Sequence, residues 1–187
     1  MNYVKRFLPF IAILLIFSDC KKDKDNKIKI SGFLATDPLG NTFGVLGNAD
    51  DDWQLSAWSS LSSAEQGLLN FTDNINLDNT TVSTLYKPIA FPNPVSTLSK
   101  IQFRSDDSVK VKVVLVDDNL NVVHTFSAKI KGAGVFSFDV SDPSAFKAGT
   151  GLRYYYSFSA TAQLNFKAGY GDILICRQPS TPSSICY

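Results

Sequence analysis

The sequence feature that most constrains the fold is an alternation of apolar and polar residues in the second half of the chain. Four apolar residues occupy every second position of one segment, and lysines stand at two of the positions between them (Val109, Lys110, Val111, Lys112, Val113 and Leu115). Successive side chains of a β-strand point to opposite faces of a sheet, so this period of two predicts a strand with one buried face.

The same pattern recurs along the chain, at residues 28–33, 42–46, 101–103, 122–130, 136–140, 152–158, 163–168 and 172–176. Strands at such spacing, separated by turn residues, favour an antiparallel β-sandwich. The glycines of KAGTG (147–151) and KAGYG (167–171) predict loops at strand ends. The composition agrees, since 12% of the residues are aromatic and methionine occurs once, which suits pleated sheets. We therefore expect an all-β protein.

The N-terminal part of the chain is predicted to be a small subdomain that carries one short helix. Ser62 and Glu65 have the spacing of a capping box, in which each side chain bonds to the backbone amide of the other residue. The polar stretch at residues 70–80 favours a loop. We expect three units after the N-terminal segments: a small one at 28–86, a sandwich domain at 87–176 and a Ser/Pro-rich tail at 177–187.

An apolar run near the N-terminus predicts an export signal. Lys5 and Arg6 precede eleven uncharged residues from Phe7 to Phe17. A membrane-spanning helix needs about 20 apolar residues, so this run fits a secretory signal better. The stretch LLIFSDC, which ends at Cys20, resembles the lipobox of bacterial lipoproteins, where the signal is cut before the cysteine and fatty chains are attached to it.

That resemblance implies that residues 1–19 are a signal peptide and that Cys20 holds the protein on a membrane. Several acyl chains bind a membrane firmly, because each buried CH₂ contributes about 0.8 kcal/mol. Asp19 departs from the small residue usual before the cysteine, although Bacteroidota lipoproteins are less strict there. An ordinary signal or an uncleaved anchor with an incidental cysteine is the alternative.

A solvated tether is expected at residues 20–27, where the stretch KKDKDNK has no apolar side chain. It partly resembles the signals that send Bacteroidota lipoproteins to the outer face of the outer membrane, so surface-exposed and periplasm-facing locations both stay open. The 18 basic and 17 acidic residues give a formal charge of +1, and removal of residues 1–19 brings it to zero. Such a balance lacks the basic surface that nucleic acid binding requires.

A second resemblance covers residues 88–176. The stretch AFPNPVSTLSKIQF (90–103) resembles the Pro-Asn-Pro start of the FlgD-like immunoglobulin-type domains and of the type A C-terminal sorting domains of the type IX secretion system. The strand at 109–115, the hairpin at 117–123 and the aromatic strand at 149–156 match later parts of that pattern. The resemblance implies an immunoglobulin-like antiparallel sandwich. The chain continues beyond the point where the sorting domains end, so the fold and not the secretion role is carried over.

Few residues suit catalysis. His124 is the single histidine and stands in VVHTF, where alternation with valine is typical of a surface or edge position on a strand. The GxSxG, GxGxxG and P-loop motifs are absent from the sequence, so serine hydrolase, dinucleotide and nucleotide sites have no motif support. Acid–base chemistry by paired carboxylates stays open, because such pairs have no sequence signature.

The two cysteines after Cys20 are predicted to be bonded to each other. An exported compartment is oxidising, and a disulfide between Cys176 and Cys186 would contribute roughly 2–3 kcal/mol. Two free thiols are the alternative. The sequence has no CxxC pair and no metal-spaced set of Cys and His, which argues against redox and zinc sites.

The candidate ligand-binding residues are acidic or aromatic. Asp50, Asp51 and Asp52 offer oxygens of the kind that Ca²⁺ prefers, although they lack the spacing of an EF-hand loop and are equally suited to a solvated loop. No other cofactor is expected. Flat amphipathic rings suit a glycan or a protein surface, with core packing as the alternative, and four are candidates (Trp53, Trp58, Tyr155 and Tyr170).

These observations favour a lipid-anchored, non-catalytic binding or structural module of the cell envelope. The alternatives are a carboxylate-dependent hydrolase or its accessory domain, and a subunit of a surface assembly. The first predicts aromatic side chains on an exposed face, and the second predicts two close carboxylates in a deep pocket. The third predicts a long unpaired edge strand.

Overall fold

The computed structural model describes residues 27–50, 52–77 and 84–177. In chain order the strands are β1 (Gly32–Thr36), β2 (Thr42–Gly47), β3 (Leu85–Phe91), β4 (Leu98–Val116), β5 (Val122–Asp139), β6 (Gly151–Ala160) and β7 (Gln163–Leu174). Between β2 and β3 lie a 3-10 turn at Trp58–Ser60 and helix α1 at Ser63–Leu68. Strands account for 56% of the described residues and helix for 6%, so the expectation of an all-β fold is confirmed.

A long antiparallel hairpin organises the molecule. β4 and β5 have 19 and 18 residues and pair along most of their length, with a register shift between Ser105 and Val109. On its other side β4 pairs first with β3 and then with β6, to which β7 is added. The five-stranded sheet therefore has two halves, β3–β4–β5 and β5–β4–β6–β7. Strands β1 and β2 form a separate two-stranded sheet.

The two halves of the main sheet face each other across the core. Phe103, on the first half of β4, lies 5.7 Å from both Tyr156 and Phe158 on β6, measured between ring centroids. All three side chains are fully buried. Aliphatic side chains from both halves complete the core (Ile101, Val109, Val111, Val113, Leu115, Ile173 and Ile175). The antiparallel, sandwich-like architecture expected from the sequence is thus present.

Three pairs of segments that the sequence separates are continuous strands. The predicted strands at 101–103 and 109–115 both lie in β4, those beginning at 122 and 136 lie in β5, and those beginning at 163 and 172 lie in β7. The predicted loop at 167–171 is wrong. Gly169 and Gly171 lie within β7, where the carbonyl oxygen of Gln54 and the ring of Trp53 occupy the space that a Cβ would need. Close approach of another segment, and not a turn, requires these glycines.

The N-terminal segment covers the outer face of the β5–β4–β6–β7 half. Apolar side chains of both layers meet there (Leu61, Leu69, Val114, Val116 and Tyr155). Helix α1 begins with the predicted capping box: the Glu65 amide donates to Ser62 Oγ at 3.3 Å, and the Ser62 amide donates to Glu65 Oε2 at 2.7 Å. Trp53, from the same segment, belongs to the main core. The segment and the sandwich therefore share packing, and the division between residues 28–86 and 87–176 stays a prediction.

Candidate functional site: a buried polar network at the edge of β7

Two charged residues pair where β6 meets β7. Arg153 and Asp172 are cross-strand partners, and their side chains form two hydrogen bonds, Nε to Oδ1 at 2.6 Å and Nη2 to Oδ2 at 2.7 Å. The side chains are only 11% and 5% exposed. Burial raises the pKa of Asp172, whereas for Arg153 burial is outweighed by the pairing, which raises its pKa. The short bidentate contact engages both carboxylate oxygens of Asp172.

A third charged residue, Asp52, joins this pair from the N-terminal segment, and it is 3% exposed. Its Oδ1 accepts a hydrogen bond from the Asp172 amide at 2.7 Å, and its Oδ2 accepts one from the Leu34 amide of β1 at 2.9 Å. Burial raises the pKa of Asp52 to about 6, although these two amide bonds act in the opposite direction. Both carboxylate oxygens are therefore engaged in holding β1 and β7 together.

Asn93, between the two prolines of the Pro-Asn-Pro stretch, ties the same two strands and is fully buried. Its Nδ2 donates to the carbonyls of Leu34 and Asp172 at 2.9 Å each, and its Oδ1 accepts from the Leu174 amide at 3.0 Å. Its own N–H and C=O bond to the backbone of Thr36. A single buried residue thus connects β1 to β7 through its side chain and its backbone.

Together these contacts close the outer edge of β7. Asp52 and Asn93 bond to β7 as described above. In addition, the backbone of Ser56 exchanges two hydrogen bonds with Ala168, and the Trp53 amide donates to the carbonyl of Tyr170. A strand at the edge of a sheet otherwise presents such backbone groups to other chains. The polar network is therefore an edge closure, built from side chains and from the N-terminal segment.

The four aromatic residues proposed as ligand contacts occupy two kinds of position. Trp53 and Tyr155 are 1% exposed, so both rings pack inside the protein and neither lies on an exposed face. Tyr155 borders a cavity, and its assignment as a ligand contact stays a prediction. Trp58 and Tyr170 are half-buried. The guanidinium of Arg153 lies over the ring of Tyr170, 4.1 Å from its centroid. One face of that ring is therefore already covered by the polar network.

Small cavities border the network. One of about 190 Å³ is lined in part by Asp52, Arg153 and Asp172, and one of about 270 Å³ is lined in part by Arg153, Tyr155 and Glu65. Both are smaller than the roughly 300–1,000 Å³ typical of small-molecule sites. The carboxylates of Asp52 and Asp172 that border the smaller cavity are engaged as described above. These cavities do not combine a deep pocket with available acid–base groups.

The acidic triplet proposed for calcium is divided by the fold. Asp50 is exposed, Asp52 is buried with both oxygens accepting backbone amides, and Asp51 lies outside the described residues. Within residues 27–50, 52–77 and 84–177, no group of three or more His, Cys, Asp or Glu side chains is placed to hold a metal ion. Asp52 therefore serves the edge closure.

The remaining sequence candidates lie apart from the network. Cys20 and Cys186 fall outside the described residues, so lipidation at Cys20 and the pairing of Cys186 with Cys176 stay predictions. Cys176 is buried and disulfide-bonded. His124 is exposed on β5, and its ring stacks on Phe138 with 4.8 Å between centroids, as expected of an edge residue. In the part of the chain that the structure describes, no helix is long and apolar enough to cross a membrane.

Arg153 and Asp172 are not among the site residues predicted from the sequence. The one sequence signal for Arg153 is its place within the aromatic strand LRYYYSF. A charged residue buried among aromatic residues needs a partner of opposite charge. Asn93 stands out in the Pro-Asn-Pro stretch, but its role depends on strands that are distant in sequence.

Known proteins add no guide to the site, since comparisons of the chain with protein-family models, curated proteins and solved structures found no match.

Proposed function

We propose that this protein is a non-catalytic structural module of the bacterial cell envelope, anchored to the outer membrane by acyl chains on Cys20. The sequence supports the anchor, because an uncharged run too short to span a bilayer ends just before a cysteine. A charged tether follows that cysteine, which suits a folded body held at some distance from lipid.

The engagement of the buried carboxylates is the observation that carries the non-catalytic part. A general acid or base needs a side-chain oxygen within hydrogen-bond reach of the substrate. Both oxygens of Asp172 accept from Arg153, and both oxygens of Asp52 accept from backbone amides. The carboxylates of Asp52 and Asp172, which border the smaller cavity of the network, instead hold strands together. The hydrolase alternative therefore has less support.

An open strand favours a protein partner over a glycan. β5 is 18 residues long and, among the described strands, pairs with β4 alone. Three of its valines add apolar surface, with 53%, 36% and 50% exposure (Val122, Val123 and Val135). A strand of this length with only one paired edge offers the backbone groups of its other edge for strand addition by another polypeptide. This feature supports a structural module that acts as a subunit of a surface assembly.

Phase partition in detergent tests the anchor. Native protein extracted from its membrane is expected in the detergent phase, and intact mass spectrometry should show a mature N-terminus at Cys20 that carries acyl chains. Cys20→Ala is the control, and it should be neither acylated nor cut before residue 20. Recovery of unmodified wild-type protein in the aqueous phase would overturn the anchor.

Replacement of Asp172 tests whether its carboxylate is structural. Catalytic residues are often held at a cost in stability, so their neutral replacement tends to leave stability unchanged or to raise it. Asp172→Asn should instead lower the free energy of unfolding by about 3 kcal/mol or more, because Arg153 loses its charged partner in the interior. A variant as stable as the wild type would favour the hydrolase.

A further inference from the structure

The long edges of the main sheet differ in how they are protected. The β7 edge is closed by side-chain and backbone hydrogen bonds from Asp52, Asn93 and the N-terminal segment. The β3 edge is interrupted by Pro88 and a register shift. Charged residues, proline and bulges are the usual protection of an edge strand, and residues 122–128 of β5 contain no lysine, arginine, acid, proline or glycine. This stretch is therefore suited to pairing.

We propose that residues 122–130 pair in antiparallel with the same segment of a second copy of this chain. A patch that pairs with itself requires a two-fold axis, which we place at Phe126. In this register Phe126 faces its counterpart, and Thr125 faces Ser127 of the second copy. Aromatic pairs and Thr–Ser pairs are both favourable between neighbouring strands. Two residues that oppose each other in this register are equally far from Phe126, so their side chains lie on the same face of the extended sheet. The alternation of inward and outward side chains along β5 therefore continues across the dimer.

The charges of β5 agree with this partner. Each Lys129 lies opposite Val123 of the second copy. The two Lys129 residues are then six positions apart along the pair, which is about 20 Å at roughly 3.4 Å per residue. That separation exceeds the Debye length of about 8–10 Å, and the formal charge of +1 on the chain gives little repulsion between copies.

Sedimentation equilibrium of the full chain in density-matched detergent measures the self-association. The wild-type chain should form a dimer whose fraction rises with concentration. Thr125→Lys places new like charges beside each other and beside Lys129 of the second copy, so it should raise the dissociation constant by about tenfold or more. Thr42→Lys makes the same change on the exposed strand β2, which is six residues long, and should leave the constant unchanged.

Two results would overturn the dimer. One is a wild-type chain that stays monomeric at every concentration. The other is a dimer that survives Thr125→Lys in a chain whose circular dichroism shows an intact fold, above all if Thr42→Lys abolishes it instead. Detergent partition is measured equally well on monomer and dimer, so failure of this inference and failure of the proposed anchor are separate results.

Cysteine cross-linking tests the register. A mixture of Thr125→Cys and Ser127→Cys chains should give more cross-linked dimer than either variant alone, because positions 125 and 127 face each other only in the mixed pair. Cβ atoms about 3.5–4.5 Å apart are needed for a disulfide, which directly opposed strand residues approach. Wild-type chains, with their native cysteines, are the control. A mixture that cross-links no better than the single variants would overturn the pairing about Phe126.

Discussion

Replacing Asn93 by alanine should destabilise the fold strongly, because it removes three hydrogen bonds at once. These bonds join Nδ2 to the carbonyls of Leu34 and Asp172 at 2.9 Å each and Oδ1 to the amide of Leu174 at 3.0 Å. Asn93 is fully buried, and of the three bonds the one to Asp172 is buried and the other two are part-buried, so the three backbone groups would lose their partner where water has limited access. An unsatisfied buried polar group costs about 1–3 kcal/mol. Three such groups would cost about 3–9 kcal/mol if all were fully buried. Because two of the bonds are only part-buried, the expected loss is about 3–6 kcal/mol, out of the roughly 5–15 kcal/mol that stabilise a typical domain.

Urea unfolding, followed by circular dichroism and tryptophan fluorescence, measures this loss. Asn121→Ala is the matched control, since Asn121 is exposed and its Nδ2 donates to Asp117 in the turn between β4 and β5 at 2.8 Å. An exposed bond of this kind should contribute no more than about 1 kcal/mol. If Asn93→Ala and Asn121→Ala differed by less than about 1 kcal/mol, the interpretation of Asn93 as the tie between β1 and β7 would be refuted.

Three further outcomes are expected. Arg153→Met should cost about 3–5 kcal/mol, because Asp172 is left buried without a cation, and adding Asp172→Asn should restore part of it; absence of coupling in a double-mutant cycle would contradict the pairing. The pKa of Asp52 is raised to about 6 from about 3.9 in an unfolded chain, so between these values the folded state binds more protons. Relative to Asp52→Asn, the wild type should lose up to about 2 kcal/mol of stability as the pH rises from about 4 to 6, and urea midpoints that move the other way would count against this role of burial. Reduction of the Cys176 disulfide should cost about 2–3 kcal/mol, and peptide mapping should identify Cys186 as its partner; a reduced protein of equal stability would contradict a structural role for the bond.

Local patterns predicted the strands well because a half-buried strand shows as a period of two. The segment from Val109 to Leu115 lies in β4, where burial alternates as predicted as far as Val113. The N-terminal segment then buries Val114 on the other face. The capping box of Ser62 and Glu65 begins helix α1. Both signals depend on residues only a few positions apart. The same local rules misplaced the loop at 167–171, because glycines required by a neighbouring segment resemble glycines required by a turn.

The partners of the buried polar groups could not be predicted in this way. Asp52 and Asp172 are 120 residues apart in the sequence, and Asn93 is 59 residues from Leu34 and 81 from Leu174. The sequence by itself determined most of the strand segments, since these follow from each segment's own alternation, but it did not predict β3 or the burial of both faces of β6. Only the tertiary structure decided that distant segments close the edge of β7 while β5, among the described strands, pairs with β4 alone, because a buried backbone group must pair with whichever distant segment the fold brings beside it.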